Sequence, residues 1–398
     1  MSTRPLKPGW KMVKFGEVVK NANLAERDPE ANGIERIVGL EHIDSENLHI
    51  RRWNSVADGT SFSRKFVPGQ TLFGKRRAYQ RKVAYAKFEG ICSGDILTFE
   101  PKNSKVLLPE LLPFICQSDA FFDHALGTSA GSLSPRTSWA ALQDFAFPLP
   151  PLDEQKRIAE ILWAIDESAM SWSNSLCAMS GLMQATIDSF VYGSDGKTSQ
   201  WPQVKLSDHV EESLYGPRFP AGLYSPEGNA YTIRTTDFDR VGGIEYADVP
   251  AANLEESVVN RHLLQDGDFL LSRSGEYAGL GAVFRAQEDG RIYIPAAFLI
   301  RFRLRGSLLP DYLMALFRSK FHRLHVLPLA KGSAQPNISG SRALDLLIPT
   351  PPIKKQEQLL RYIAEIRNRQ EELKSHWHMV STTTKGLIDF YVTGAAHV

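Results

Sequence analysis

The sequence contains little cysteine and lacks any long apolar run. Its three cysteines, Cys92, Cys116 and Cys177, are far apart and form no CxxC pair, which argues against a disulfide framework and a cysteine zinc site. No window approaches the roughly 18 uncharged apolar residues of a membrane span, and the first twenty residues lack the apolar core of a signal peptide. These absences predict a cytoplasmic protein whose thiols are free and buried.

An excess of charge of one sign is also absent. The formal net charge is +1, which does not distinguish a DNA-binding protein from an average enzyme. The sequence has no Asn/Asp-Pro-Pro-aromatic motif for transferring methyl to an amino nitrogen, and no GxxxxGK, HExxH or GxSxG motif. The obvious catalytic machinery is therefore missing, and no catalytic residue and no metal ligand is predicted.

What the sequence does have is an internal repeat. PLPPLDEQKRIAEIL, from Pro148, recurs as PTPPIKKQEQLLRYI, from Pro349, a shift of 201 residues (349 − 148). The same shift pairs LLPELL, from Leu107, with LLPDYL, from Leu308. A period of about 200 residues is far longer than the roughly 20 to 50 residues of a solenoid unit. The chain is therefore predicted to be a duplicated pair, in which each copy is a globular domain followed by a helix.

Each double proline is predicted to precede a long helix, because Pro cannot continue a strand ladder and suits a helix entry. Apolar residues then recur at steps of four and three in both copies, and this register predicts a mutual coiled coil about 55 to 60 Å long. The alternative is two separate amphipathic helices, each packed on its own domain. The seam residues are Ile158, Leu162, Ile165, Trp172, Leu176, Leu359, Ile363, Ile366, Leu373 and Trp377.

Both globular halves mix short β-rich runs with helical runs, so the predicted fold class is α+β with a pseudo-two-fold internal repeat. The predicted boundaries are a first domain over 1–150, a central helix over 151–193, a linker over 194–200, a second domain over 201–350 and a C-terminal helix over 351–394.

A basic run stands out in the first half. Between Ser61 and Phe88 there are eight Lys and Arg residues and no acidic residue, which is consistent either with a solvated strand and turn or with a phosphate-tracking patch that contacts guanine edges. The second half has only Arg273 and three glycines in the corresponding run from Leu270. The paired loops 128–138 and 330–340 are rich in hydroxyl and amide side chains, which bond phosphates and base edges.

One enzymatic alternative is a nuclease. Asp95, Glu100 and Lys102 imitate the D…ExK arrangement of metal-dependent nucleases, although the two acids are very close and the second half has no equivalent. The other interpretation of this segment is an ordinary edge strand.

The repeated proline-proline, Gln and heptad-helix pattern resembles the specificity subunit of type I restriction-modification systems, and the resemblance covers essentially the whole chain. LFGKRRAYQRKVAYA, from Leu72, and LYGPRF, from Leu214, also resemble segments of that family's recognition domains. One departure is that Lys354 and Lys355 stand where the first copy has Asp153 and Glu154, which changes the chemistry of the second helix start and bears on partner contacts there.

The resemblance implies two target recognition domains held apart by two antiparallel helices, each domain reading half of a bipartite asymmetric site in double-stranded DNA. It also implies a non-catalytic, prokaryotic subunit that docks two methyltransferase subunits and is joined by restriction-translocase subunits. S-adenosylmethionine, ATP and Mg²⁺ are expected on those partners, with no cofactor in this chain and no membrane. The alternatives are the specificity subunit of a related fused, type IIB-like restriction-methylation enzyme, and the stand-alone nuclease.

The candidate DNA-binding residues combine the basic run, the paired loops and the matching segments of the second half. They are Arg64, Lys65, Lys75, Arg76, Arg77, Tyr79, Arg81, Lys82, Ser134, Arg136, Tyr215, Arg218, Arg234, Arg273, Ser274, Tyr277, Lys331, Ser333 and Asn337.

Overall fold

The structure is a computed structural model, and it describes residues 6–193, 196–239, 242–330 and 336–393. The chain divides into two compact units. The first is built from the residues up to Asn174 together with those from Lys374 onwards, and the second is Ser175–Leu373. Each unit therefore holds one globular domain and a segment of each long helix.

The first unit contains most of the strands and four short helices before the central helix. Its strands are β1 (Lys11–Lys14), β2 (Val19–Asn21), β3 (Leu24–Ala25), β4 (Arg36–Val38), β5 (Asn54–Ser55), β6 (Arg64–Phe66), β7 (Thr71–Gly74), β8 (Val83–Tyr85), β9 (Gly90–Cys92), β10 (Ile96–Pro101) and β11 (Ala146–Leu149). Its helices are α1 (Phe15–Val18), α2 (Leu112–Gln117), α3 (Asp119–Gly127), α4 (Trp139–Leu142) and the start of α5 (Leu152–Tyr192).

The second unit repeats this pattern. Its strands are β12 (Gln203–Lys205), β13 (Val210–Tyr215), β14 (Ala230–Ile233), β15 (Ala251–Ala252), β16 (Phe269–Ser272), β17 (Gly281–Val283), β18 (Tyr293–Pro295), β19 (Leu299–Leu304) and β20 (Leu347–Pro349). Its helices are α6 (Leu206–His209), α7 (Glu256–His262), α8 (Pro310–Phe317), α9 (Gly340–Leu344) and the start of α10 (Ile353–Thr393).

The two units share one strand order. The first has a four-stranded antiparallel sheet in the order β2-β10-β7-β8, and the second has β13-β19-β16-β17. A second sheet in each unit contains one parallel pair, β4 with β9 and β14 with β18. The strands β7, β10, β16 and β19 are mostly apolar and mostly buried, because one face of each four-stranded sheet packs on the short helices of its unit. The mixed α+β fold and the internal repeat are thus confirmed.

The glutamine that is common to both repeated stretches has a structural role. Gln155 is fully buried, and its amide donates to the carbonyls of Val106 and Pro150 while its Oε1 accepts from the Leu108 amide at 3.0 Å. Gln356 repeats all three bonds in the second unit, to Ser307, Pro351 and Leu309. Each glutamine therefore connects the start of its long helix to the loop that precedes α2 in the first unit and α8 in the second.

An aspartate near the C-terminal end of each long helix accepts a backbone hydrogen bond from the globular domain that does not directly precede that helix. The Asp389 carboxylate, on α10, accepts at 2.9 Å from the Asp119 amide at the first residue of α3. Asp188, on α5, accepts at 2.9 Å from the Lys320 amide in the second unit. The two aspartates are 201 residues apart, so the repeat extends to this backbone contact as well.

Each unit packs one end of α5 against the opposite end of α10, which makes the two helices antiparallel. In the first unit Ile158 and Leu162 share a core with Ile388 and Val392. In the second unit Ile187 and Val191 share a core with Leu359 and Ile363. The helices therefore pack on their domains as well as on each other, which combines the two alternatives that the heptad pattern allowed.

The predicted seam residues differ in their burial. Ile158, Leu162, Leu359 and Ile363 are buried. The seam residues towards the helix centres are half-buried, namely Ile165, Trp172, Leu176, Ile366 and Leu373. Trp377 is 40% exposed, which differs from its predicted place in the seam. The reason is that the domain cores reach only the helix ends, so the helix centres have fewer neighbours.

Among the helices of the described residues, none has the length and apolarity to cross a membrane.

Candidate DNA interface

In the first unit, three segments meet beside the four-stranded sheet, and we call them the first loop cluster: the turn 75–81 after β7, Asp95 before β10, and the loop 134–137. The Lys75 amide donates to the Asp95 carbonyl at 2.9 Å, and the Arg77 amide donates to the Pro135 carbonyl at 2.7 Å. The Thr137 amide donates back to the Lys75 carbonyl at 3.0 Å. The backbone thus holds the basic turn and the hydroxyl-rich loop against each other.

Asp95 orients the arginine side chains of this cluster. Its carboxylate accepts from Arg136 Nε at 3.0 Å and pairs with Arg76 Nη1 at 3.5 Å. Arg76 Nε also donates to the Ser134 hydroxyl at 2.6 Å. Burial works to raise the pKa of Asp95, but the Arg136 hydrogen bond and the charges of both arginines outweigh it and hold that pKa below its ordinary value. Asp95 is therefore an anion that fixes two guanidinium groups, which still have free donors for a ligand.

Two residues of this turn adopt left-handed backbone conformations. Arg77 has φ +53° and Arg81 has φ +50°, in a region that costs a residue with a Cβ about 1 kcal/mol or more. Arg77 Nε is buried and has no hydrogen-bond partner among the described residues. The fold therefore holds Arg77 in a conformation that its own side chain does not favour.

The second unit has the same backbone arrangement, the second loop cluster, built from the turn 273–277, Phe298 before β19, and the segment 336–338. The Arg273 amide donates to the Phe298 carbonyl at 2.9 Å, and the Gly275 amide donates to the Pro336 carbonyl at 3.1 Å. The Ile338 amide donates to the Arg273 carbonyl at 2.7 Å. These three bonds match those of the first loop cluster one for one.

The side chains of the second loop cluster are different. Gly275, with φ +74°, occupies the left-handed position that Arg77 holds in the first cluster. The Arg273 guanidinium lies over the Tyr215 ring at 4.7 Å, and its Nη2 donates to Asn337 Oδ1 at 3.5 Å. The Tyr215 hydroxyl accepts from the Gly340 amide at 2.6 Å, and an added Cβ at Gly340 would lie 2.8 Å from that hydroxyl oxygen. The same backbone arrangement thus holds one arginine stacked on a tyrosine in the second unit, and two arginines bound to an aspartate in the first.

Comparison with known proteins supports a shared family. Residues 8–174 match the sequence profile of the type I restriction modification DNA specificity domain. The specificity subunit of the type I restriction enzyme EcoKI from Escherichia coli (strain K12) is 27% identical over 282 residues, which are 66% of this chain and 60% of that relative. The chain is therefore similar to the specificity subunits of type I restriction enzymes, and residues 8–174 match their DNA specificity domain. The resemblance noted in the sequence is thereby confirmed, although the match spans less than two thirds of the E. coli relative.

Longer matches cover nearly the whole chain. The MjaVIII specificity subunit from Methanocaldococcus jannaschii is 22% identical over 94% of this chain and 84% of that relative. A solved chain from work on complex assembly and conformational transition of the type I system covers 98% of this chain and 99% of its own, with a TM-score of 0.64 at 21% identity. The S subunit from M. genitalium gives a TM-score of 0.56 at 11% identity, covering 98% of both chains. These solved structures share the fold of this chain.

The first-domain candidates divide by what they contact. Arg76, Ser134 and Arg136 lie in the first loop cluster with Lys75 and Arg77, and Tyr79 is exposed beside them. Lys75 is half-buried, and burial together with the nearby charge of Arg64 lowers its pKa. The other candidates have intramolecular partners: Arg64 donates to the Gly94 carbonyl, Lys65 pairs with Glu89, Lys82 donates to the Leu40 carbonyl, and Arg81 pairs with Glu46 and Asp119.

The second-domain candidates are similarly divided. Arg273, Ser274, Tyr277 and Asn337 lie in the second loop cluster with Tyr215, and Arg218 is exposed. Arg234 is bound to Asp237 by hydrogen bonds of 2.7 to 3.2 Å, which raise its pKa. Lys331 and Ser333 lie outside the described residues. Arg234, Arg81 and Lys82 thus each have a structural partner that the sequence did not reveal.

The nuclease alternative is not favoured by the geometry. Asp95 is engaged by two arginines, Glu100 accepts from Gln70 and pairs with Lys20 at 2.8 Å, and Lys102 donates to the Gly16 carbonyl at 2.6 Å. A metal nuclease needs its carboxylates to converge on one ion. The described part of the chain contains no group of three or more His, Cys, Asp or Glu residues that could hold a metal ion.

Two positions of the loop clusters are absent from the DNA-binding candidates that the sequence predicts. The sequence predicts Asp95 either as a metal ligand or as part of an ordinary edge strand, whereas in the structure its carboxylate contacts two arginines. Phe298 was part of the strand-like run RIYIPAAFLIRFRL and was not singled out. A signal was available, because aligning β10 with β19 pairs Asp95 with Phe298 at a shift of 203 (298 − 95) and exposes the difference in chemistry.

Proposed function

We propose that this chain is a DNA-specificity subunit that recognises a bipartite, asymmetric target in double-stranded DNA. In this proposal the chain itself is non-catalytic and directs methyltransferase and restriction subunits to the site. The first loop cluster reads one half-site and the second loop cluster reads the other. The bacterial or archaeal cytoplasm, where chromosomal DNA lies, is the expected location.

The observation that carries the proposal is that the two clusters share three equivalent backbone hydrogen bonds but have different side chains. Three equivalent backbone hydrogen bonds hold each turn, but Arg76, Asp95 and Arg136 in the first unit correspond to Ser274, Phe298 and Asn337 in the second. Two domains that recognise different base sequences are expected to share one fold and to differ in the hydrogen-bond donors and acceptors at its surface. The target should therefore not be palindromic.

The paired arginines support direct base recognition in the first half-site. A guanidinium fixed at one edge by a carboxylate presents its remaining N–H groups in a set direction, and arginine contacts to guanine O6 and N7 are the commonest specific contacts in the major groove. Arg76 and Arg136 each retain such donors beside Asp95. We assign Asp95 the role of a positioning residue for both.

The backbone at Arg77 supports the same assignment. Gly275 meets the requirement for a left-handed residue at the equivalent turn without cost. An arginine in that conformation is unfavourable for stability, and strained residues of this kind cluster at functional sites. We therefore include Arg77 among the residues that contact DNA, and we expect Arg81, Lys82 and Arg234 to act mainly in holding the fold.

Recruitment of two methyltransferase subunits and of restriction subunits is part of the proposal. The support is that this chain lacks catalytic motifs and that the EcoKI and MjaVIII relatives are named as specificity subunits of type I restriction enzymes. S-adenosylmethionine, ATP and Mg²⁺ would then act on the partner subunits.

The experiment that tests the proposal is a genome-wide methylation map. A methylation-deficient host expresses this chain with its neighbouring methyltransferase subunit, and the control host expresses the methyltransferase alone. We expect a new bipartite, asymmetric adenine-methylated motif only when this chain is present. A palindromic motif would contradict the two-reader assignment, and a stable complex that produces no motif would refute the proposed function.

A further inference from the structure

Phe298 is an apolar side chain presented to solvent within the second loop cluster. Its side chain is 58% exposed, the largest exposure among the phenylalanines and tyrosines that the structure describes. Its carbonyl accepts the Arg273 amide, so the backbone places Phe298 beside the turn 273–277. An exposed phenylalanine adds little to the stability of its own fold, since the hydrophobic gain comes only with burial.

The comparison with the first unit shows what Phe298 replaces. Asp95 occupies the equivalent position, accepts the equivalent backbone bond from Lys75, and directs Arg76 and Arg136. A phenylalanine can neither accept a hydrogen bond through its side chain nor orient a guanidinium by charge. The second loop cluster therefore differs in its mode of contact as well as in the identity of its donors.

The neighbouring side chains favour an apolar contact at this point. The Arg273 guanidinium is stacked on Tyr215, and Tyr215 and Tyr277 are exposed. Phosphates are charged and hydrated, so a phenylalanine gains nothing from packing on them. Among the groups that base pairs present in the major groove, the one apolar group is the 5-methyl of thymine, which apolar side chains contact.

We propose that Phe298 is a specificity-determining residue that packs on the 5-methyl group of a thymine in the second half-site. This inference rests on the proposed DNA-specificity function. Burying one methyl group should change the affinity about fourfold, as expected for one buried carbon of this size. The asymmetry of the target would then include one half-site read by paired arginines and one that depends on a methyl group.

The test uses the complex of the full chain with its methyltransferase and a duplex carrying the mapped target. Each thymine of the target is replaced in turn by uracil, which keeps base pairing and removes only the methyl group. We expect one thymine in one half-site whose replacement weakens wild-type binding about fourfold. The Phe298→Ala complex should bind the intact target more weakly than wild type and should be insensitive to that same replacement.

Controls separate this effect from a general loss of structure. Leu347, on β20 of the same unit, is 50% exposed, and Leu347→Ala should retain the wild-type response to uracil. The Phe298→Ala chain should show the wild-type thermal unfolding, because the ring contributes little to the core.

The possible failures can be distinguished. Sequence-specific binding that no uracil replacement weakens, or that Phe298→Ala leaves equally sensitive to every replacement, overturns the thymine contact while the proposed function stands. A complex with no sequence-specific binding overturns the proposed function, and this inference with it.

Discussion

Replacing Arg77 by glycine should weaken DNA binding without the loss of stability that usually follows truncation of a half-buried side chain. Arg77 has φ +53°, and the equivalent residue of the second unit is Gly275 at φ +74°. Glycine removes the left-handed strain and also the buried Nε that lacks a partner among the described residues. The greater chain entropy of glycine opposes these gains by roughly 0.5 to 1 kcal/mol.

The backbone contribution is isolated by comparing Arg77→Gly with Arg77→Ala. Both variants lose the guanidinium, but alanine keeps the unfavourable conformation, so the glycine variant should be more stable by about 1 kcal/mol. For a unit of this size that difference is about 2 to 4 °C in Tm. At Lys105, which is exposed and does not have a positive φ, the same pair of substitutions should show no advantage for glycine.

The DNA assay should give the same result for both Arg77 variants. In titrations of the methyltransferase complex at several salt concentrations, loss of a phosphate contact should reduce the salt slope by about one for all sequences. Loss of a base contact should cost roughly 1 to 3 kcal/mol and relax one position of the target. A glycine variant less stable than the alanine variant would refute the strain argument, and wild-type DNA binding by both would refute the functional assignment.

Three further predictions concern the buried glutamines, a helix-capping aspartate and the arginine-orienting carboxylate. Gln155→Met and Gln356→Met each remove three hydrogen bonds from buried groups and should cost about 2 to 4 kcal/mol, measured as a fall in the Tm of one unit by roughly 4 to 16 °C. The pKa of Asp389 is raised, chiefly by burial and also by nearby negative charge. Its contribution to stability is therefore present at low pH and is lost as the pH rises through its folded pKa. Asp389→Asn keeps the acceptor oxygen but does not titrate, so the difference in Tm between this variant and wild type should favour the variant more at pH 7 than at pH 4. Asp95→Asn should free Arg136, raise non-specific DNA affinity through the lost negative charge, and relax one position of the methylated motif.

Each of these has an outcome that contradicts it. Glutamine variants that unfold within about 1 °C of wild type would show that the three bonds contribute nothing net. An Asp389→Asn advantage that is the same at both pH values would remove the titration argument. A methylation motif that is unchanged in Asp95→Asn would mean that the carboxylate does not position the arginines for recognition.

The two long helices and the duplicated domains could be predicted from the sequence because their determinants are local. Pro150-Pro151 and Pro351-Pro352 set the starts of α5 and α10 at Leu152 and Ile353, within a residue or two of expectation. The repeat at a shift of 201 predicted two domains of one fold. The antiparallel packing was available only from the resemblance, because a heptad pattern does not specify which ends of two helices meet.

The candidate interface was harder to predict because its residues are selected by tertiary contacts. Arg76 and Arg81 are alike in a basic run, but Arg76 meets Asp95 in the loop cluster while Arg81 meets Glu46 and Asp119. Those acids are 19 to 38 positions away (95 − 76, 81 − 46 and 119 − 81), and no local pattern connects them. The exposure of Phe298 also depends on the turn that precedes β19, which an apolar strand-like sequence does not indicate.

The placement of Ile388, Asp389 and Val392 in the first unit has a consequence for synthesis on the ribosome. The second unit is one continuous segment, Ser175–Leu373, whereas the first needs residues made after Leu373 to complete its core and to cap α3. Domains usually fold in the order of their emergence, with the N-terminal one first. The earlier-made domain therefore keeps part of its apolar surface uncovered until residues 374–393 of α10 are available, so a chain truncated after residue 373 would carry a complete second unit and an incomplete first one.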